Sequence, residues 1–335
     1  MIVQMAVAAP PLSEPAPAEP PTGDAPAIER QTLYLKISDH IAASIGLSAG
    51  IRFDELEWSI AGNAGGTNPN ILSELDWKKV LSYQLTLSGD LQVNRHFYCR
   101  GHANMAWIQS GSVRDSDYRG DDRTQEYSRS ISDTDGDELY DLVAGAGYPF
   151  YFNQRRLFFA PLVGMSWHAQ NFRISDGTQV ISEEPPSTPP IGPLDSRLNS
   201  TYSSRWIGLW IGCDLRYQMA GLNRKTLPIE WGLSMVYHFW GEYSAEADWN
   251  LRGDLAHPKS FKHEADGQGG SLTAKCHIPI YPRVRINLIA SYTRWTTDEG
   301  AATIYPANDT SRTTQLNKVT WESHSVMLGV DCRFF

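Results

Sequence analysis

From Val326 to Phe334 the side chains alternate. Val326, Leu328, Val330, Cys332 and Phe334 fall on one side, and Gly329, Asp331 and Arg333 on the other. A period of two is what a β-strand gives its side chains, so this segment has one apolar and one polar face. The pattern recurs upstream. Ile207, Leu209, Ile211, Cys213, Leu215 and Tyr217 oppose Gly208, Gly212, Asp214 and Arg216, and Val284, Ile286, Leu288, Ala290 and Tyr292 oppose Arg283, Arg285, Asn287, Ser291 and Thr293. Leu75, Trp77, Leu81, Tyr83, Leu85 and Leu87 read as one more apolar face, interrupted near its end by Lys79. Such runs match or exceed the roughly 9 to 11 residues that a tilted strand needs to cross a bilayer. A soluble sandwich instead expects strands of about 5 to 6 residues and no difference between its two ends.

No apolar run approaches the roughly 18 residues of a membrane-spanning helix. A formal charge of -9, with basic residues scattered along the chain, gives no nucleic-acid surface. Cys99, Cys213, Cys276 and Cys332 lie far apart with no CxxC pair, and read as small apolar residues on a sheet face. The histidines show no ligand spacing, so no metal is expected, and no motif calls for a cofactor.

Residues 1–30, rich in Pro and Ala, cannot build a core and read as a disordered segment, with Ile2 to Ala9 as a signal remnant. The domain proper runs over 41–335. Long polar stretches at 62–72, 114–136, 175–203, 245–268 and 298–318 alternate with tight turns at 93–95, 153–155, 220–225 and 281–283. Five long and four short connections join ten strands and place both ends of the sheet on the short-turn side. The expected fold is all-β: a ten-stranded antiparallel transmembrane β-barrel with long external loops and short periplasmic turns. Leu209, Ile211, Leu215, Ile286, Leu288 and Leu328 should face lipid, and Asp214, Arg216 and Arg285 the lumen. A last strand closing on an aromatic resembles that of bacterial outer-membrane barrels, whose terminal aromatic belongs to the signal read by the assembly machinery; Phe335 is one residue beyond the register.

The order of motifs resembles the omptins, ten-stranded outer-membrane proteases. The carriers are Leu75-Asp76-Trp77-Lys78, the stretch Gly111 to Tyr118 with its Asp-x-Asp, Trp206-Ile207-Gly208-Leu209, Arg294-Trp295 and Gly329. The resemblance implies a water held between an Asp pair and an Asp-His pair, and cleavage between basic residues. Asp115 and Asp117 match the first pair; a solvated acidic loop with Asp121 and Asp122 is the plainer reading. Counting from Trp240 and Glu242 puts the second pair on Ala247 and Trp249, which move no proton, while a one-residue slip offers Glu246 and Asp248. The nearest substitute base is His257, otherwise an exposed loop histidine. The acid of the basic-substrate pocket falls near Trp58, leaving Glu55 and Glu57 as an acidic pocket or a wet lumen wall.

Three functions follow as expectations: an omptin-like barrel with an incomplete protease site and a surface binding or structural role, an active endopeptidase using Asp115, Asp117 and His257, or a porin-like channel. The implied partners are outer-membrane lipid, including lipopolysaccharide, and a peptide or protein ligand at the external loops.

Overall fold

The computed structural model describes residues 41–183, 188–219 and 228–334. The disordered-segment reading of residues 1–30, the turn at 220–225 and the extra Phe335 lie outside them. The strands in chain order are β1 (Ile41–Ile60), β2 (Ser73–Val93), β3 (Phe97–Tyr118), β4 (Glu126–Asp133), β5 (Glu138–Gly147), β6 (Phe150–Phe152), β7 (Leu157–Ser182), β8 (Gly192–Pro193), β9 (Ser200–Gln218), β10 (Glu230–Asp248), β11 (Phe261–Tyr281), β12 (Val284–Thr297), β13 (Gly300–Ile304) and β14 (Arg312–Phe334).

All pairings are antiparallel, and β1 closes on β14 from Ala43↔Phe334 up to Ile60↔Leu316. β4, β5 and β6 form one interrupted wall between β3 and β7, β8 continues the β9 wall, and β13 continues β12. The ring therefore has the expected ten walls. Both ends of the barrel chain lie beside the tight turns, where Asn94 and Asn153 take the left-handed backbone such turns require.

The belt facing outward is apolar. Ile45, Leu47 and Ile51 on β1, Leu85 and Leu87 on β2, Leu209 and Ile211 on β9, Leu288 on β12, and Val326 and Leu328 on β14 are all exposed. Leu215 and Ile286 share that face, partly covered, while Asp214 and Arg285 are buried inside and Arg216 turns toward Asp90. Aromatics rim the belt, with Phe97, Tyr148, Tyr281 and Phe334 at the turn end and Trp107, Phe239 and Trp240 toward the loops. The four cysteines are free.

Three corrections concern what lies above the belt. The long polar stretches are loop only in part: 114–118, 126–133, 175–182, 245–248, 261–268, 300–304 and 312–318 stay in the sheet, and among the described residues the main connections lie at 61–72, 119–125, 188–191, 194–199, 249–260 and 305–311. β1, with 20 residues, rises roughly 47 Å at about 3.3 Å per residue and a tilt near 45°, about twice the apolar band of roughly 25 Å. Where no lipid lies outside, the outer face can be polar and the apolar residues turn inward.

The second correction is to β2. Leu75 and Trp77 do not share a face with Tyr83 and Leu85, because the register shifts at Lys78–Leu81 and Lys79 adopts φ 53°. This bulge sets extra residues against the partner strand and reverses the faces beyond it. Leu75 and Trp77 are buried in the lumen; Lys78 and Lys79 are exposed.

The third correction is to Glu55 and Glu57. Against β14 the register of β1 is unbroken below Ser59, and the shift at Asp54–Leu56 against β2 places its extra residue on β2, so Asp54, Leu56 and Trp58 point inward and both glutamates are exposed on the outer face. They form neither an acidic pocket nor a lumen wall.

Candidate functional site at the outer mouth

Phase reversals also fix where β3 and β10 aim their side chains. On β3, Ala106 and Ile108 face the lumen, then Gln109 and Ser110 are both exposed, and Val113 is again in the core. Asp115 and Asp117 share the face of Val113, so the reversal brings them inward, where a count from Trp107 would leave them outside. On β10, Phe239 and Trp240 both face out at a register shift, after which Tyr243, Ala245 and Ala247 line the interior.

Asp115 and Asp117 meet at the mouth, above the membrane belt. Burial, and then the neighbouring charge of Asp117, push the Asp115 carboxyl well above the usual carboxylate range, while Arg252 opposes the shift. Burial also raises Asp117; hydrogen bonds from Ser73 and Ser128, its direct neighbours on β2 and β4, and the charge of Arg252 counteract it. Arg252 comes from the β10–β11 connection and is held by Asp254, with Nε–Oδ1 at 2.8 Å and Nη2–Oδ2 at 2.7 Å. The group facing the acid pair is thus a guanidinium, which stays protonated and cannot take a proton from water.

The substitute base lies elsewhere. His257 Nδ1 is 2.6 Å from Asp248 Oδ1, and both side chains are part-exposed. Asp248 and Glu246 have the parity opposite to Ala247, so they sit on the outer face, where Glu246 pairs with Lys259. The one-residue slip therefore offers no inward carboxylate. Ala247 and Trp249 do point inward, and Trp249 packs on Phe261 at 4.7 Å between ring centroids.

Aromatic side chains occupy the rest of the mouth. Trp77 contacts Phe172 at 5.1 Å and Tyr202 at 5.0 Å, and Trp58 meets His263 at 4.8 Å. The Tyr202 hydroxyl bonds Tyr243 at 2.5 Å and His263 Nδ1 at 3.0 Å. Burial pushes His263 down to about 3, so this imidazole is neutral and its Nδ1 is engaged. Trp58, the position nearest the expected pocket acid, is fully enclosed in this cluster. The sequence reading missed Arg252, and it noted His263 only as a histidine near His257, without its place among the aromatics. Neither carries a motif, and only the path of the β10–β11 connection shows that Arg252 reaches the acids.

Below the aromatics the lumen is polar. Arg52 bonds Asp54 at 2.7 Å and Asp141 at 2.6 Å; Asp141 also takes His168 Nδ1 at 2.8 Å and Asn104 at 3.0 Å, and Trp321 Nε1 reaches Asp54 at 2.8 Å. Near the floor, Arg285 bridges Glu230 at 3.0 Å and Asp331 at 2.5 Å.

A closed antiparallel ring with an apolar outer belt, aromatic rims and a polar interior defines a bacterial outer-membrane β-barrel. Residues 46–334 match the model of the Protochlamydia outer membrane protein family, and the chain belongs to that family. Among solved structures it is similar to the outer membrane protease OmpT from Escherichia coli, at a TM-score of 0.71 and 15% identity over 90% of this chain and 99% of that one. The fold is thus omptin-like. OprG from Pseudomonas aeruginosa aligns at a TM-score of 0.35 and 10% identity, covering 88% and 97% of the two chains. The translocator domain of the autotransporter NalP from Neisseria meningitidis aligns at 0.35 and 12%, covering 87% and 88%. No curated protein matches the chain.

Proposed function

We infer that this protein is an omptin-like barrel whose protease site is incomplete, and that it acts at the cell surface by binding through its outer mouth. One observation carries the reading: the acid pair Asp115 and Asp117 faces Arg252, while the inward positions expected to supply a base hold Ala247 and Trp249. Hydrolysis at neutral pH needs a group that accepts a proton from water near that pH, and the loss of a general base typically forfeits about 10²–10⁴ in rate. His257, the remaining candidate, is tied to Asp248 on the outer wall. The mouth suits recognition instead, with fixed charges above an aromatic floor. A peptide or protein at the external loops is the ligand this mouth suits, and lipopolysaccharide and other outer-membrane lipids are the partners of the belt.

The test is hydrolysis of a dibasic peptide by the full-length barrel from acid to neutral pH, beside Asp115→Ala and His257→Ala. The expected result is no turnover at neutral pH above the variants. Robust neutral activity abolished by either substitution would make the protein a working endopeptidase.

A further inference from the structure

The middle of the lumen holds a cavity of about 140 Å³, room for several water-sized groups. Its walls are not evenly charged. Around Arg52 two carboxylates, Asp54 and Asp141, meet one guanidinium. Around the floor, Arg285 and Arg333 balance Glu230 and Asp331. Between these layers Arg100, Arg216 and Lys275 stand beside Asp90 and Asp214, with Arg100 Nε 2.9 Å from Asp214 Oδ2 and Arg216 Nη1 3.7 Å from Asp90 Oδ1.

Three side chains in this layer carry N–H groups without an acceptor among the described residues. Lys275, on β11, lines the cavity with no hydrogen bond or ion pair to its ammonium, and Gly232 beside it leaves the space open. Arg100 lies over the Trp210 ring at 5.3 Å, and its Nη2 is buried without an acceptor. His102, two residues on and therefore on the same face of β3, makes no hydrogen bond, and the charges acting most strongly on its ring are Arg100 and Lys275. Donors without acceptors on two walls, β3 and β11, thus converge on one cavity of the lumen.

We propose that this cavity binds one small inorganic anion of halide size, held by the Lys275 ammonium, the Arg100 guanidinium and a His102 N–H. The anion offsets the local surplus of one positive charge and gives each donor an acceptor. Asp214, Asp90 and Asp331 also act on Lys275; they limit the site to a single anion and disfavour multivalent ones such as phosphate.

The full-length barrel crystallised from sodium bromide should show one anomalous peak inside the lumen, in contact with Lys275 Nζ. In detergent, chloride should raise the unfolding midpoint relative to gluconate at equal ionic strength, and Lys275→Met should lose that shift. His102→Phe should weaken it. A lumen holding water alone, bromide peaks confined to the outer surface, or a chloride shift that persists in Lys275→Met would overturn the proposal. The bromide map of the parent protein decides the matter even where a variant fails to fold.

Discussion

Asp115 and Asp117 are two residues apart on one strand face, and each holds its proton more tightly in the fold than in the open chain. The sign follows from proton counting. Between the ordinary carboxylate range and the raised values the folded state binds more protons, so this pair contributes stability in acid that is lost as pH rises. Asp115→Asn should therefore raise the unfolding midpoint near neutral pH, by the roughly 0.5–2 kcal/mol of a typical stabilising substitution, and the gain should vanish in acid. Denaturant titrations at two pH values check this; a gain independent of pH would show that the buried charge of Asp115 is not its source. Arg52 makes the opposite case. Arg52→Ala strands Asp54 and Asp141 in the lumen, and breaking such a buried pair costs about 3–5 kcal/mol, readable as a lowered urea midpoint. The sequence marked Asp115 and Asp117 through their spacing, but it could not show that Arg252 faces them, because a loop residue reveals its partner only once the loop has a path.

At the scale of the strand, phase decides which residues meet. The reversals at Lys79, at Gln109–Ser110 and at Phe239–Trp240 lie near the outer edge of the belt, where the surroundings change from lipid to water. A lipid-phase thiol probe should label Leu328→Cys and Leu288→Cys but leave Trp77→Cys unmodified, although an unbroken period of two in β2 puts Trp77 on the lipid side. Labelling of Trp77→Cys equal to that of Leu328→Cys would refute the reversal. Glycines set a second condition. A Cβ at Gly208, Gly241 or Gly269 would approach Trp295 within 2.5 to 2.6 Å, so three neighbouring strands form a cradle for one indole. Gly208→Ala should cost about 1–3 kcal/mol through overpacking, measured as a lowered unfolding midpoint. The short motif Trp206 to Leu209 was visible in the sequence; its purpose, room for a side chain from β12, was not.

Over the whole molecule, the lumen is layered: an ionic floor, a small polar cavity, the Arg52 network, then the aromatic mouth. Trp206 stacks near Trp295 at 5.4 Å and Trp321 at 6.5 Å across the interior, and His168 lies 5.1 Å from Trp321. With ten walls the interior is narrow enough for side chains to fill it. A planar bilayer carrying the purified barrel should accordingly show no stable single-channel conductance; regular open steps would favour the porin-like reading. What the sequence determined by itself was the barrel, its ten walls and the lipid side of the belt, since the bilayer forces every spanning strand to alternate and the chain must record that alternation. It did not determine which way the mouth residues point. Above the belt water lies outside the wall and an aromatic core inside it, so the apolar face changes sides, and one bulged residue reverses every face beyond it. Only the paired strands and their shared core could place Asp115 inside, Glu55 and Glu57 outside, and Arg252 where an imidazole was expected.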